Sequence, residues 1–513
     1  MLLRIITAVT SLFLFLQSTT ASKLTNISIF ELRANKTYVV RSTVDLKGKT
    51  VEVPKNCTFV FKKKGRIGNG TLVGNGTIVK IDDRRIHFLR TLSLEGDWSA
   101  KIAHSECFDV DPDCELRSDG FLISGTNNYQ SLQNLLHFNN VVIKKGCYYV
   151  KGNLKTERDN QVIDGCNACI KGSFINRYAG VLSINADGVV VRNLTIIGVR
   201  DESNEKTQWA HGVVVEGASN VVLENVICCK CRGDGFNITE TNLPGGLIWP
   251  KDITMINCRA EANYRNGLSI TGGHLIRVLN SSFTSTIGQD PEAGIDIEPN
   301  VYQTGNTIKT SECTDIIIRN CSFSDNFKTG LVMQAPLDCE RINAFPVRNI
   351  TVEDCSFFRN SISLWRLSNI VLRGCDIQTE GRCHGIVFQD AEQWNISLQS
   401  VIISNEVNGE PERIGIFVCP GHRRSHLRFK DIRIEGPFKY CLFIPSDEKY
   451  KNTITDVAFE NVSVRNGWHN FFVGNMVKDA TYKDIESLDK GLSIKGTKYK
   501  GYEWGWSIHK HNE

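Results

Sequence analysis

Between residues 211 and 420 a single pattern keeps returning, a glycine followed by alternating apolar and polar positions. It reads HGVVVEG (211–217), DGFNITE (234–240), NGLSITG (266–272), AGIDIEP (293–299), TGLVMQA (329–335), HGIVFQD (384–390) and IGIFVCP (414–420). Strict alternation predicts short strands with one buried and one open face. A second phrase falls between the copies: MINC (255–258), RNCSF (319–323), VEDCSF (352–357) and LRGCDI (372–377). The glycines at 212, 235, 267, 294 and 330 step by 23, 32, 27 and 36 residues, one coil of a β-solenoid with loops of varying length. Strands this short are stable only when each coil stacks on the next.

Aligning the copies at glycine predicts which side chains stack. Phe236/Ile238, Leu268/Ile270, Ile295/Ile297, Leu331/Met333 and Ile386/Phe388 point inward. One outward column then reads Val214, Asn237, Ser269, Asp296, Val332, Ser363 and Val387. A neighbouring column reads Glu216, Thr239, Thr271, Glu298, Gln334, Trp365 or a neighbour, and Gln389. Coils about 4.8 Å apart put Asn237, Ser269 and Asp296 on successive rungs.

The pattern predicts an all-β fold, a parallel β-solenoid with a short N-terminal helical insertion or cap. Residues 22–100 are read as N-terminal coils, and 101–187 as the insertion with early coils. Within that insertion, NYQSLQNLLHF (128–138) carries Leu132, Leu135 and Leu136 at helical spacing. The regular solenoid is placed at 188–475. Residues 476–513 form a polar tail that caps the open end, with Trp504 and Trp506 as covering side chains.

The combination resembles the right-handed parallel β-helix of the pectate-lyase-like superfamily. Val53-Pro54-Lys55 and the run Asn69 to Asn75 resemble the opening coils of exported Bacteroidetes carbohydrate-active β-helix proteins. NYRNGLSITGG (263–273) followed by EAGIDIEPN (292–300) resembles a signature of bacterial β-helix proteins that act on carbohydrates. The resemblance implies a carbohydrate substrate but no single reaction, because the superfamily holds lyases, inverting hydrolases, epimerases, esterases and non-catalytic spikes. The polygalacturonase set of Asn-Thr-Asp, Asp-Asp and Gly-His-Gly is missing from the repeats. Asp290-Pro291-Glu292-Ala293 only begins like the Asp-Pro-His-Glu of alginate epimerases.

Residues 1–21 read as a secretory signal: Arg4, an apolar run around Leu12 to Leu16, and the small residues Thr19-Thr20-Ala21. This predicts a secreted or periplasmic protein. No other segment is long and apolar enough to span a bilayer. A net charge of +4 over 513 residues lacks the basic clustering of a nucleic-acid binder. Lys62-Lys63-Lys64 and Arg423-Arg424 are read as solvated faces. Of eighteen cysteines, Cys258, Cys321, Cys355 and Cys375 share one repeat position, which is Val226 and Val462 elsewhere, and are read as a buried ladder. Cys107/Cys114, Cys166/Cys169 and Cys228/Cys229/Cys231 are the disulfide candidates. The Asn-x-Ser/Thr sequons at Asn193, Asn237, Asn280 and Asn320 are read as Asn stacking at coil corners.

The candidate chemistry centres on Asp296 and Glu298. As i, i+2 neighbours on a strand they stand roughly 6.5–7 Å apart. That suits the carboxylate pair of an inverting glycosidase, whose groups are about 6.5–9.5 Å apart. Asp234 joins them as a third catalytic candidate, and Asn237, Arg265, Asn266, Ser269, Trp249 and Gln334 as sugar-binding groups. The leading expectation is a glycoside hydrolase without cofactor, acting on a polysaccharide or oligosaccharide. Alternatives stay open. One is a calcium-dependent lyase on uronate glycans, with Asp234, Asp296 and Glu298 as ligands and Arg265, Tyr264 or His274 as base. Another is a glycan-binding protein without catalysis. Asp-x-Glu on a solvated strand face is a further, passive reading, and His211 and His384 are read as corner residues.

Overall fold

The computed structural model describes residues 21–26, 28–173, 179–200, 208–304, 307–336, 345–406, 412–487, 492–494, 497–499 and 510–511. The signal-like segment up to residue 20, together with Trp504 and Trp506, lies outside them. The chain divides into two compact units, residues 1–111 with 128–144, and residues 112–127 with 145–513.

The first unit stacks parallel strands. Ser22–Leu24 pairs with Thr37–Val40, which pairs with Thr58–Phe61. Thr43–Glu52 pairs with Arg66–Ile81, and that strand pairs with Leu92–Ser99. The expected helix forms over Tyr129–Leu135 and buries Leu132 and Leu135. Its Asn134 carboxamide bonds both the Leu94 N–H (2.9 Å) and the Leu92 carbonyl (2.8 Å), standing in for the next strand. Phe88, Phe108 and Phe138 fill the interior, with ring centroids 4.7 Å and 5.5 Å apart.

The second unit is a parallel β-helix. One ladder, the front sheet, runs through Ala210–Glu216, Phe236–Thr239, Asn266–Ile270, Ala293–Ile297, Thr329–Gln334, Ile362–Trp365, Ile386–Phe388 and Ile414–Val418. The register matches the glycine alignment: Val214, Asn237, Ser269, Asp296, Val332, Ser363 and Val387 are successive partners. The inward pairs from Phe236 to Phe388 are all at most 1% exposed. The second sheet stacks Lys251–Ile256, Gly273–Leu279, Cys313–Arg319, Val347–Glu353 and Leu367–Arg373. The ladders continue beyond residue 475, where the sequence pattern fades. Ala480–Ser487 pairs with Ile454–Arg465, and Leu492–Ile494 with His469–Val473.

Coil corners need a left-handed residue, and Asn and Asp tolerate that conformation. Asn193, Asn225, Asn257, Asn280, Asn320 and Asp354 have φ of 50–54° at one corner. Their side chains bond along the stack, as between Asn225 and Asn193 (3.1 Å) and between Asn320 and Asn280 (3.2 Å). Asn237 departs from the corner reading, because it lies within the strand Phe236–Thr239.

Inside the coil, Cys258, Cys321, Cys355 and Cys375 are at most 2% exposed. Each thiol donates to the carbonyl two residues before it, at 3.3–3.6 Å. Phe283, Phe323 and Phe357 stack beside them at 5.5 and 4.5 Å. None of the candidate disulfide pairs is joined. Among the described residues no helix is long and apolar enough to cross a membrane.

Candidate functional site

Two cavities of about 710 and 720 Å³ lie on the outward face of the front sheet, and both are lined by Arg265 and Glu298. These two residues mark their junction. The first cavity continues over the later coils past Lys328, Gln334, Trp365, His384 and Arg413. The second covers the earlier coils, with Trp209, His211, Asn237, Glu240 and Tyr302.

The floor at the junction is a buried charge cluster. Asp234 and Asp296 are 0% and 1% exposed, although the alternation turns Asp296 away from the core. Arg265 covers them. It precedes the strand glycine by two residues, so its side chain folds back across the coil. Its Nη1 donates to both Asp234 oxygens (3.3 and 3.2 Å) and to Ser269 Oγ (3.1 Å). Its Nη2 stands 3.7 Å from Asp296 Oδ2. Asn266 Nδ2 donates to Ser269 Oγ (3.0 Å) and Asp296 Oδ2 (3.2 Å), and its Oδ1 accepts the Ala293 N–H (3.0 Å). Gln334 reaches Asp296 Oδ1 at 3.5 Å. Asn237 donates to Asp234 Oδ2 (3.2 Å).

This environment separates the two aspartates. Burial alone would raise Asp234, but Arg265 and then His211 overcome it and hold its carboxyl at about 2. Burial pushes Asp296 up to about 8, and the Glu298 and Asp234 charges add to the rise against Arg265. Burial also raises Glu298, against Arg265 and Gln334. The junction therefore joins an ionised carboxylate locked to a guanidinium with a carboxyl that keeps its proton at neutral pH.

The expected sugar-binding residues divide. Arg265, Asn237 and Gln334 line the cavities. Asn266 and Ser269 are 0% exposed and bond the charge cluster from below, so they are supports and not contacts. Trp249 lines neither cavity. The hairpin Thr241–Leu243/Gly246–Ile248 carries it to the start of the second sheet, where its ring packs on His274 at 4.8 Å. Trp209, just before its repeat glycine, supplies the aromatic wall instead, with the Arg265 guanidinium 6.0 Å from its ring.

Other groups were not singled out by the repeat. Tyr302, on the hairpin Val301–Thr304/Thr307–Thr310, donates to Glu240, which also accepts from Asn300 (3.1 Å). A Cβ at Gly272 would fall 2.4 Å from Glu240 Oε2, so this packing needs glycine. His211 and His384 do serve as corners. His384 Nδ1 accepts the Ile414 N–H of the next coil (2.9 Å), and His211 Nδ1 faces Asp234 of the next coil, 3.2 Å from its Oδ2 and 3.0 Å from its backbone nitrogen. Both also face cavities.

The calcium set of the lyase alternative does not fit this arrangement. The Arg265 guanidinium already lies between Asp234 and Asp296 and supplies their positive charge. Among the described residues no group of three or more His, Cys, Asp or Glu side chains is placed to hold a metal ion.

A family model described as "Right handed beta helix region" matches residues 179–336. The SPbeta prophage-derived uncharacterized protein YorA of Bacillus subtilis (strain 168) is 26% identical over 212 residues, which is 38% of this chain and 33% of YorA. The alignment thus spans about a third of that relative's length. Among solved structures, the N-terminal fragment of bacteriophage phi29 gene product 12 superposes with a TM-score of 0.60 at 11% identity. The match covers 79% of this chain and 73% of that one. The tailspike gp49 of Acinetobacter baumannii bacteriophage Fri1, a capsular polysaccharide depolymerase, gives 0.44 at 15% identity, over 65% and 60%. The fold is an all-β, right-handed parallel β-helix.

Proposed function

We propose that this chain is an exported polysaccharide-active enzyme, a glycoside hydrolase whose working carboxyls are Asp296 and Glu298. One observation carries the proposal. Two carboxyls have raised pKa two residues apart: Glu298, just past the end of the strand Ala293–Ile297, lines both cavities where they meet, and Asp296 lies buried in the floor beneath that junction. A glycan lying along the coils would cross that junction. Their spacing on an extended strand is about 6.5–7 Å, within the range that admits an attacking water. Asp296 keeps its proton at neutral pH and, lying beneath Arg265, reaches a leaving oxygen once that side chain swings aside to the substrate. Glu298, half-buried and open to both cavities, serves as the base for water. Asp234 is a positioning residue that fixes Arg265 over the pair. Trp209 offers an apolar face for a sugar ring.

The cations of the first cavity favour a second reading. Arg265, Lys328, Arg382 and Arg413 would attract an acidic sugar, and a guanidinium can neutralise a uronate before β-elimination. The test is a panel of neutral and acidic polysaccharides, read for reducing ends and for the ultraviolet absorbance of unsaturated uronate. Hydrolysis gives reducing ends alone, lost in Asp296→Asn and Glu298→Gln. Elimination gives both signals. Full cleavage by both variants would overturn the assignment of the pair.

A further inference from the structure

A third cavity, of about 700 Å³, lies apart from the groove at the entry to the second sheet. Its lining includes Trp394, Arg423, Arg424, Ser425, Lys451 and Thr455. It shares no lining residue with the other two. The sequence pattern assigns Arg423-Arg424 to a solvated face, and for Arg424 the structure reverses this. Arg423 is exposed, but Arg424 is 1% exposed.

Arg424 is a buried cation whose bonded partners are all neutral. Its Nε donates to Gln393 Oε1 (2.9 Å), its Nη1 to the His422 carbonyl (3.4 Å) and its Nη2 to the Gln389 carbonyl (2.6 Å). A guanidinium has five N–H groups, and these partners engage three of them. Among the described residues no carboxylate comes within ion-pair distance of it. Burial pulls its pKa down to about 10, against the more distant Asp390 charge, which only partly offsets the desolvation. A buried charge is costly unless paired, and a cavity wall is where a ligand can pair it. Gln393 holds the group in place, its own Nε2 donating to the Leu364 carbonyl at 2.7 Å.

The rest of the lining is chemically mixed. Trp394, Ser425 and Thr455 occupy one outward column on three successive rungs. The Trp394 side chain is 49% exposed, a large aromatic left in water beside a cationic cavity. Its ring packs on His426 at 4.3 Å, which fixes its orientation. Hydroxyls from Ser425, Thr453 and Thr455 and the Asn452 carboxamide add hydrogen-bonding groups. Arg423, Arg424, Lys451 and Lys478 outnumber the one carboxylate of the lining, Glu392, and with the Trp394 and Phe345 rings and a set of hydroxyls they match a ligand that combines a carboxylate, an apolar ring face and several hydroxyls.

We infer that this cavity is a second binding site, for an acidic sugar unit such as a uronate, paired to Arg424 and seated against Trp394. A chain bound there would be tethered to the protein independently of the groove. The site needs no cleavage chemistry, so it stands or falls apart from the function proposed for Asp296 and Glu298.

The test uses the full chain carrying 5-fluorotryptophan. The Trp394 fluorine resonance is the one missing from Trp394→Phe. Titration with a glucuronate-containing disaccharide should shift that resonance saturably. Its carboxyl-reduced, neutral counterpart should bind at least about tenfold more weakly, the scale of one lost charge-assisted contact. The double variant Arg423→Ala/Lys451→Ala, which changes only exposed side chains, should weaken the acidic sugar by a similar factor and leave the fold intact. A Trp394 resonance that does not move would overturn the inference. Equal responses to the acidic and neutral sugars would remove the role of Arg424. An equal response to inorganic sulfate would show a plain anion site in place of a sugar site.

Discussion

Two neighbouring stretches of the front sheet carry buried aspartates under the same arginine, and they hold opposite charge states. Around residues 234–240, Asp234 receives two contacts from Arg265 Nη1, at 3.2 and 3.3 Å, and a bond from Asn237. Around residues 293–298, Asp296 meets the guanidinium only at 3.7 Å and has Glu298 as a like-charged neighbour. Burial is nearly the same, 0% against 1%. What separates a carboxyl held at about 2 from one raised to about 8 is thus the distance to the cation, His211 beside Asp234, and the second acid two residues beyond Asp296. A single arginine, unequally shared, makes one aspartate an anchor and the other a proton store.

Removing the shared cation should have the largest effect. Arg265→Met leaves Asp234 buried without its ion pair and should cost about 3–5 kcal/mol in denaturant unfolding at pH 7. A loss below about 1 kcal/mol would mean that water already reaches the cluster.

The two aspartates should then respond to pH with opposite sign. Asp296 has a folded pKa above its unfolded value. Its contribution is complete below about pH 4 and is lost as pH rises towards 8. Asp296→Asn should therefore stabilise the protein at pH 8 by up to about 3 kcal/mol, less than the full shift because the proton is shared with Glu298. Asp234 has a depressed pKa. Its contribution is present above about pH 4 and lost as pH falls through 2. Asp234→Asn should cost about 2 kcal/mol at pH 7 and little at pH 2, measured by the same unfolding series.

The smallest effect sharpens the comparison. His384 accepts one backbone N–H and His211 pairs with the Asp234 carboxylate, so alanine at either should cost about 1 kcal/mol in thermal unfolding. Only His211→Ala should also raise the pKa of Asp234, seen as a shift of the acid unfolding limb.

The parts of this site fixed by periodicity were legible in the sequence. A period of two and a glycine phase are enough to set which residues share a column, and every rung from Val214 to Val387 fell where the alignment put it. What hid was set by side chains reaching across coils. Nothing in the spacing of Arg265 shows that it folds over Asp234 and Ser269, so Asn266 and Ser269 read as open contacts when they are the floor. Loops carry no period, so Trp249 could not be told from Trp209. The burial of Arg424 was hidden for the same reason, since its partners Gln389 and Gln393 come from the preceding coil.

The central claim is that Asp296 holds a proton at neutral pH in the floor beneath the junction of the two cavities. The direct measurement is carbon-13 NMR of the aspartate side-chain carboxyls across a pH titration, with Asp296 assigned by comparison with Asp296→Asn. The account predicts a carboxyl that is still protonated at pH 7 and ionises near 8. An Asp296 signal already ionised at pH 5 would contradict it and leave the groove without its acid.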